Sequence, residues 1–329
     1  MKVIVYSAKP YDIEYLDAAN AEQSYEFQYI EEPLNEETAA IAQEAKAVCL
    51  FVNDNACARV LDKLHENGVE MIALRCAGYN NVDIEHARAL KMQVMNVPAY
   101  SPYAVAEHAV ALMLALNRGI HIAHQRIQQG NFSLQDLIGF DIHGKTVGII
   151  GVGKIGSIVA RILSGFGCQM LASDPYVNAE CEAMGVKFVP LDELLAQSDI
   201  ISLHAPLIKS THYIINEHTI AKMKPGVMLI NTSRGQLVKT CDVIDGLEEG
   251  RIGYFGLDVY ENEGGLFFCD HSHELIHDEC LLHLKRFPNV LMTGHQAFFT
   301  REAMTNIANG TIENLVAFQK GIHSESTLT

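Results

Sequence analysis

The chain has 329 residues, 49% apolar and 19% charged, a balance that excludes a disordered protein and is too long for one ordinary core. Its formal net charge of −16 repels phosphate backbones, so nucleic acid is not expected as a partner. No apolar run approaches the roughly 18 residues a membrane span needs. The eight cysteines include no C-x-x-C pair, and no secretory signal precedes them, so free thiols in a reducing cytosol are expected.

In chain order, "KVIVYS", "AVCLFV", "EMIALR" and "MQVMNV" predict short strands rich in β-branched residues. "ARVLDKLHENG" between them has helical spacing and stops on glycine. Strands alternating with helices imply a parallel, doubly wound sheet. Pro98 and Pro102 then stiffen the chain, and Ser101 with Pro102 opens a long helix whose Val105–Leu116 stretch is apolar nearly all round. A domain or subunit interface on that helix is expected. A second strand–helix series runs from Thr146 to about Thr293, and a last helix covers roughly Arg301 to Lys320. The arrangement predicts an α/β protein of two doubly wound parallel-sheet domains. A Rossmann domain, 101–297, is inserted into a flavodoxin-like domain made of 1–100 and 298–329. The crossings near Pro98–Pro102 and Gly294–Thr300 are expected to serve as hinges.

The second series opens on Gly151-Val152-Gly153-Lys154-Ile155-Gly156, which fits G-x-G-x-x-G between a strand and a helix. The first glycine permits a tight turn and the second lets backbone approach a pyrophosphate. The third lets helix and strand pack closely. Ile155, Ile158, Val159, Ile162, Leu163 and Phe166 follow at helical spacing, and a strand then ends in Asp174. An acid there accepts hydrogen bonds from ribose hydroxyls and repels a 2′-phosphate, which favours NAD over NADP.

Ligands of open α/β sheets bind at the carboxyl ends of the strands. Four chemically capable residues occur at or just past these ends: Arg234 in "NTSRG", Asp258 and Glu263 in "LDVYENE", and His295 in "GHQAFF". A guanidinium can hold a carboxylate through two parallel hydrogen bonds. An imidazole is suited to proton transfer near neutrality, and a carboxylate on its other nitrogen favours the protonated ring and fixes its orientation. Together they suit reduction of a 2-keto acid by hydride.

With these blocks the chain resembles the D-2-hydroxyacid dehydrogenase family, closest to its fermentative lactate branch. The likeness extends over "ALRCAGYNNVD", "VPAYSPYAVAEHAVALMLALNR", "GKTVGIIGVGKIG", "DIISLHAPL", "NTSRGQLV", "LDVYENE" and "GHQAFFT". The resemblance implies catalytic roles for Arg234, Glu263 and His295. It also implies substrate contacts at Ala77, Gly78, Tyr100, Arg234, His295 and Phe298. Cofactor contacts are expected at Gly151, Gly153, Lys154, Ile155, Gly156, Asp174, His204, Ala205, Pro206, Thr211, Thr232, Ser233, Arg234 and Asp258. The expected activity is reversible, NADH-dependent reduction of pyruvate to D-lactate by a cytoplasmic homodimer or homotetramer. The alternatives are a larger 2-keto acid, or a non-enzymatic NAD-sensing regulator of the same fold.

Glycerate and phosphoglycerate relatives read E-P-L-P after the acid and H-I-G-G after the last strand, unlike "ENEGGLFF" and "HQAFF" here. Formate-oxidising relatives carry a glutamine where Glu263 stands. Cys269, His271, His273, His277, Cys280 and His283 crowd one acidic loop, but their spacing matches no zinc pattern, and no metal is expected. Cys76 reads as packing, and His121 and His124 as helix-surface residues.

Overall fold

Four apolar runs in the first hundred residues become strands of a parallel sheet. They are β1 (Lys2–Val5), β3 (Ala47–Leu50), β4 (Met71–Leu74) and β5 (Gln93–Met95). A fifth strand, β2 (Glu26–Tyr29), joins them at the edge, and the order is β2-β1-β3-β4-β5. This is the flavodoxin-like winding. β2 was not expected from the sequence, because "EFQY" has only two apolar positions and an edge strand needs no more. The helices α1 (Pro10–Asn20), α2 (Ala58–Glu66) and α3 (Ile84–Ala89) make the crossovers. Beyond α2 the chain turns at Gly68 with φ +88°, a conformation glycine adopts without steric cost.

The structure is a computed structural model describing residues 1–329, and its chain forms two units, Met1–Ser101 with Phe299–Thr329, and Pro102–Phe298. The second unit begins with α4 (Pro102–Asn117) and α5 (Ile120–Gln128), then lays down β6 (Thr146–Ile150), α6 (Lys154–Ser164) and β7 (Gln169–Ser173). Next come α7 (Ala179–Ala183), β8 (Lys187–Phe188), α8 (Leu191–Gln197) and β9 (Ile200–Leu203). The series closes with α9 (Glu217–Ile220), β10 (Val227–Asn231), α10 (Thr240–Glu248), β11 (Ile252–Leu257), α11 (Glu279–Leu284) and β12 (Val290–Met292). The seven strands are parallel in the order β12-β11-β10-β9-β6-β7-β8. From β6 the chain winds outward through β7 and β8, then crosses back to β9 on the other side of β6. The switch point therefore lies between β6 and β9, where α/β sheets open a ligand crevice.

The helix expected to run on from Pro102 breaks at Gly119, which has φ +53° and starts α5. Much of the apolar surface of α4 is buried within its own unit, where Ala106, Ala109, Leu112, Met113 and Leu116 pack with Val147, Ile149, Val159 and Ile230 in one core. No helix is long and apolar enough to cross a membrane.

In the first unit α12 (Arg301–Gln319) returns to cover the sheet, with Ala308, Ile312 and Leu315 against Val3, Val5, Cys49 and Met71. Its Asn314 side chain donates to the Asn96 carbonyl at 2.8 Å. Under the carboxyl end of β4 lies a buried cation, Arg75. It donates through Nε to Asp12 at 3.3 Å and through Nη2 to the Ser7 carbonyl at 2.9 Å, and its guanidinium stands 5.0 Å from the centre of the Phe51 ring. Asp54, also buried, accepts from Ser7 Oγ and from the Leu34 and Phe51 amides, yet burial still holds its carboxyl above the usual range. Truncating one member of a buried pair strands the other charge at a cost of about 3–5 kcal/mol. Arg75→Ala is therefore expected to lower the unfolding free energy by an amount of that order, read as a lowered urea midpoint at unchanged slope. A midpoint unchanged from the parent would show that the network contributes nothing net.

Candidate active site

Because every strand of the second unit runs the same way, all its strand ends share one edge of the sheet. At the end of β6 the glycine turn begins. Gly151 has φ +90°, and a Cβ there would stand 2.6 Å from the Ala205 amide nitrogen. A Cβ on Gly156 would fall 2.0 Å from the Gly151 carbonyl oxygen, so this glycine lets α6 pack onto β6. Gly153 differs: nothing lies within 4 Å of the position its Cβ would take. That open side, with the unpaired amides of Lys154 and Ile155 in the first turn of α6, is where a pyrophosphate fits.

Asp174, just past β7, ties the turn down, its Oδ2 accepting from the Val152 amide at 2.8 Å and its Oδ1 from the Tyr176 amide at 2.9 Å. Each oxygen keeps a lone pair for a ribose hydroxyl. Gly151, Gly153, Asp174, His204, Ala205, Pro206 and Thr211 line one cavity of about 990 Å³. Thr211 closes the 206–211 turn, its hydroxyl donating to the Pro206 carbonyl at 2.6 Å. Ser233 Oγ donates to the Ala205 carbonyl at 2.7 Å, binding the end of β10 to the end of β9.

Two buried polar atoms at these strand ends have no partner in the protein, Thr232 Oγ1 and His204 Nδ1. Buried polar atoms are ordinarily paired, so these orphans fit a polar ligand beside β9 and β10. The other nitrogen of His204 shares a hydrogen bond with Ser202 Oγ at 2.8 Å. Desolvation pushes the His204 imidazole down to about 4, so it is neutral near pH 7 and no proton donor there.

The ends of β11 and β12 carry the titratable pair. Asp258, fully buried, has both carboxylate oxygens committed. Oδ1 accepts from Thr293 Oγ1 at 2.5 Å and from the Gln296 amide at 2.8 Å, and Oδ2 accepts from the Ala297 amide at 2.8 Å. The His295 amide donates to the Asp258 carbonyl at 2.7 Å. His108 Nε2, 3.0 Å from Thr293 Oγ1, must donate to it, because the threonine proton goes to Asp258. Asp258, read from sequence as a cofactor contact, thus has its side chain turned into the loop that carries His295.

That loop holds His295 at φ +56°, a left-handed conformation costly for a residue with a Cβ and sustained here by these hydrogen bonds. The imidazole Nδ1 meets Glu263 Oε1 at 2.9 Å, and Glu263 Oε2 accepts from the Tyr260 amide at 3.0 Å. Nδ1 is thereby occupied and Nε2 is the nitrogen left to work. Arg234 sits at the end of β10 with Nη1 on the Ser233 carbonyl at 2.7 Å. Its neighbour Gly235 lies so close to the chain leading to Glu263 that a Cβ would be 2.1 Å from the Tyr260 carbonyl carbon. The structure joins Glu263 and His295 directly, and packs the backbone of Gly235, next to Arg234, against the Tyr260–Glu261 backbone.

Phe298, buried, ends the second unit. Ala77, Gly78 and Tyr100 belong to the first, where the Ala77 carbonyl accepts from Asn96 Nδ2 at 2.7 Å and the Tyr100 carbonyl from Asn306 Nδ2 at 2.6 Å. Cys76 is buried, its thiol 3.2 Å from the Gly78 carbonyl. No three of the His, Cys, Asp or Glu side chains gather to hold a metal: in the acidic loop His271 pairs with Glu274 at 2.7 Å and His283 with Glu248 at 3.2 Å. Sequence reasoning missed His108 and Arg75. A histidine in an apolar helix and an arginine ending an apolar strand were the available signals, and neither spacing names a partner.

Residues 110–297 match the NAD-binding domain of the D-isomer specific 2-hydroxyacid dehydrogenases, and the chain belongs to that family. It is therefore an NAD-dependent dehydrogenase by class. It is 49% identical to the D-lactate dehydrogenase of Escherichia coli strain K12 over 321 residues, 98% of each chain. The apo structure of D-lactate dehydrogenase from Escherichia coli superposes with a TM-score of 0.92 at 46% identity and complete coverage of both chains. The pyruvate reductase of Chlamydomonas reinhardtii superposes at 0.93 with 45% identity, over 98% of this chain and 97% of that one.

The two kinds of glycine should separate on substitution. Gly156→Ala is expected to reduce folding stability by displacing α6 from β6. Gly153→Ala should keep its unfolding midpoint yet weaken NADH binding in a fluorescence titration; unaltered NADH affinity there would contradict the phosphate assignment. His204 sets a pH term. Its unfolded-state imidazole takes up a proton below about 6.5 while the folded one stays neutral down to about 4, so the unfolded chain binds more protons in that window. Stability is accordingly lost as pH falls through it, and His204→Gln is expected to flatten the slope of unfolding free energy against pH.

Proposed function

We propose that this chain reduces pyruvate to D-lactate, drawing one hydride from NADH and one proton from His295. The observation that carries the reading is the Glu263–His295 contact of 2.9 Å on a loop fixed by Asp258, at the strand edge where the glycine turn also ends. When bound, NADH supplies the hydride to the keto carbon. Arg234 then holds the substrate carboxylate through its guanidinium. Nε2 of His295 donates its proton to the keto oxygen, and Glu263 keeps the ring oriented through Nδ1. D-lactate as product is supported by the relatives of about half identity named D-lactate dehydrogenase, and pyruvate as substrate by the pyruvate reductase of Chlamydomonas reinhardtii at 45% identity. An intact acid–base pair has no use in a regulator that only senses NAD, which favours the enzyme over that alternative.

The shoulder after α4 leaves Ile120, Phe132, Leu134 and Ile138 exposed, the last 91% so. Apolar side chains left in water on one segment favour a self-complementary interface. A homodimer, or a homotetramer built from it, is expected in the cytosol, where eight free cysteines persist and fermentation would draw on NADH. Light scattering should give at least twice the 36.3 kDa chain mass, and a monomer at micromolar concentration would contradict this.

The deciding assay follows NADH oxidation across short 2-keto acids, with chiral analysis of the product. Pyruvate should give the highest kcat/KM and D-lactate alone; preference for a branched or aromatic keto acid, or no oxidation at all, would displace the reading. His295→Ala should lower kcat by about 10²–10⁴-fold with NADH still bound. Arg234→Ala should raise the KM for pyruvate. In Glu263→Gln the imidazole keeps an acceptor on Nδ1 but loses its carboxylate partner, so kcat is expected to fall while NADH still binds.

A further inference from the structure

Cys241 stands in the first turn of α10 and Cys280 in the first turn of α11, 39 positions apart in sequence, and their sulfurs lie 3.5 Å from each other. Cys241 is exposed and Cys280 half-buried. Two thiols in contact at a surface can take a soft metal or close into a disulfide. Here no third metal-ligating side chain joins them, so the site offers no closed cage. Both thiols are carried on packed helices, which leaves disulfide closure as the chemistry the geometry serves.

We propose that Cys241 and Cys280 form a dithiol modification site at which low-molecular-weight disulfides drive formation of a reversible intramolecular disulfide. Cys241, being exposed, meets the reagent. Its thiolate attacks one sulfur of RSSR, forming the mixed disulfide and releasing RS⁻. Cys280 gives up its proton and attacks Sγ of Cys241, expelling the second RS⁻. The protein loses two protons and two electrons, and the reagent becomes two RSH. Burial, the adjoining Cys241 and the charges of Asp278 and Glu261 push the Cys280 thiol up to about 11, so the closing step quickens as pH rises toward that value.

The crosslink would join two helices that buttress the chain leading to Glu263. The Thr240 amide at the start of α10 donates to Glu261 Oε2 at 3.0 Å, and Tyr213 also donates to Glu261. Asp278, which caps α11, accepts from Tyr260 Oη at 2.8 Å. Neither cysteine touches His295 or Glu263, so the site stands apart from the proposed chemistry.

The test incubates the reduced full-length protein with glutathione disulfide, then reads intact mass and a non-reduced peptide map. The parent should lose two hydrogens in mass and yield a Cys241–Cys280 crosslinked peptide that dithiothreitol removes. Cys280→Ser should instead retain one glutathione on Cys241, and Cys241→Ser should form no crosslink to Cys280. A parent that keeps glutathione on Cys241 without closing, or a crosslinked peptide joining other cysteines in its place, would overturn the proposal. The parent map decides this whether or not either variant folds.

Discussion

The buried carboxylate of Asp258 is the constraint on which the site rests. Its two oxygens accept from three groups of the 293–297 loop, and its own carbonyl accepts a fourth bond from the His295 amide. An anion with no exposure to water is tolerated only when its hydrogen-bonding capacity is met. The loop meets it by wrapping its amides around the carboxylate, and that wrapping turns His295 into a backbone conformation it would not choose alone. The imidazole then faces Glu263. One buried charge thus fixes the direction of a second, working pair.

The parallel winding supplies the rest. A sheet whose strands all run one way collects its strand ends at one edge, and the reversal between β6 and β9 opens that edge into a crevice. The glycine turn, Asp174, His204, Thr232, Arg234, Asp258 and His295 come from six different strands, yet share that edge without any long-range device beyond the sheet itself. The two orphaned polar atoms, on Thr232 and His204, lie on that same edge, at the ends of β10 and β9.

Much of this was legible in the residues. The glycine turn could be read because its three glycines have separate steric reasons, two of them near-contacts with backbone. Glu263 and His295 could be named as chemistry, since a carboxylate and an imidazole beyond successive strands are few in number and placed at the functional edge. What could not be read were partners distant in sequence. The Asp258–Thr293–His108 chain joins three elements, and no periodicity announces a hydrogen bond across 185 positions. The apolar run in α4 gave no sign of which elements it packs against, and part of it is buried between α6 and the β10–β11 face. β2 escaped notice because edge strands are half polar. The exposed apolar residues after Gly119 were hidden among loop-like polar neighbours, and only accessibility singles them out.

The most direct measurement is a crystal structure of the protein with NADH and oxamate, an unreactive pyruvate isostere. Nε2 of His295 should lie within hydrogen-bonding distance of the oxamate carbonyl oxygen, with Nδ1 still on Glu263 and the Arg234 guanidinium paired with the oxamate carboxylate. An oxamate carbonyl held by some other donor, with His295 turned away from it, would contradict the account.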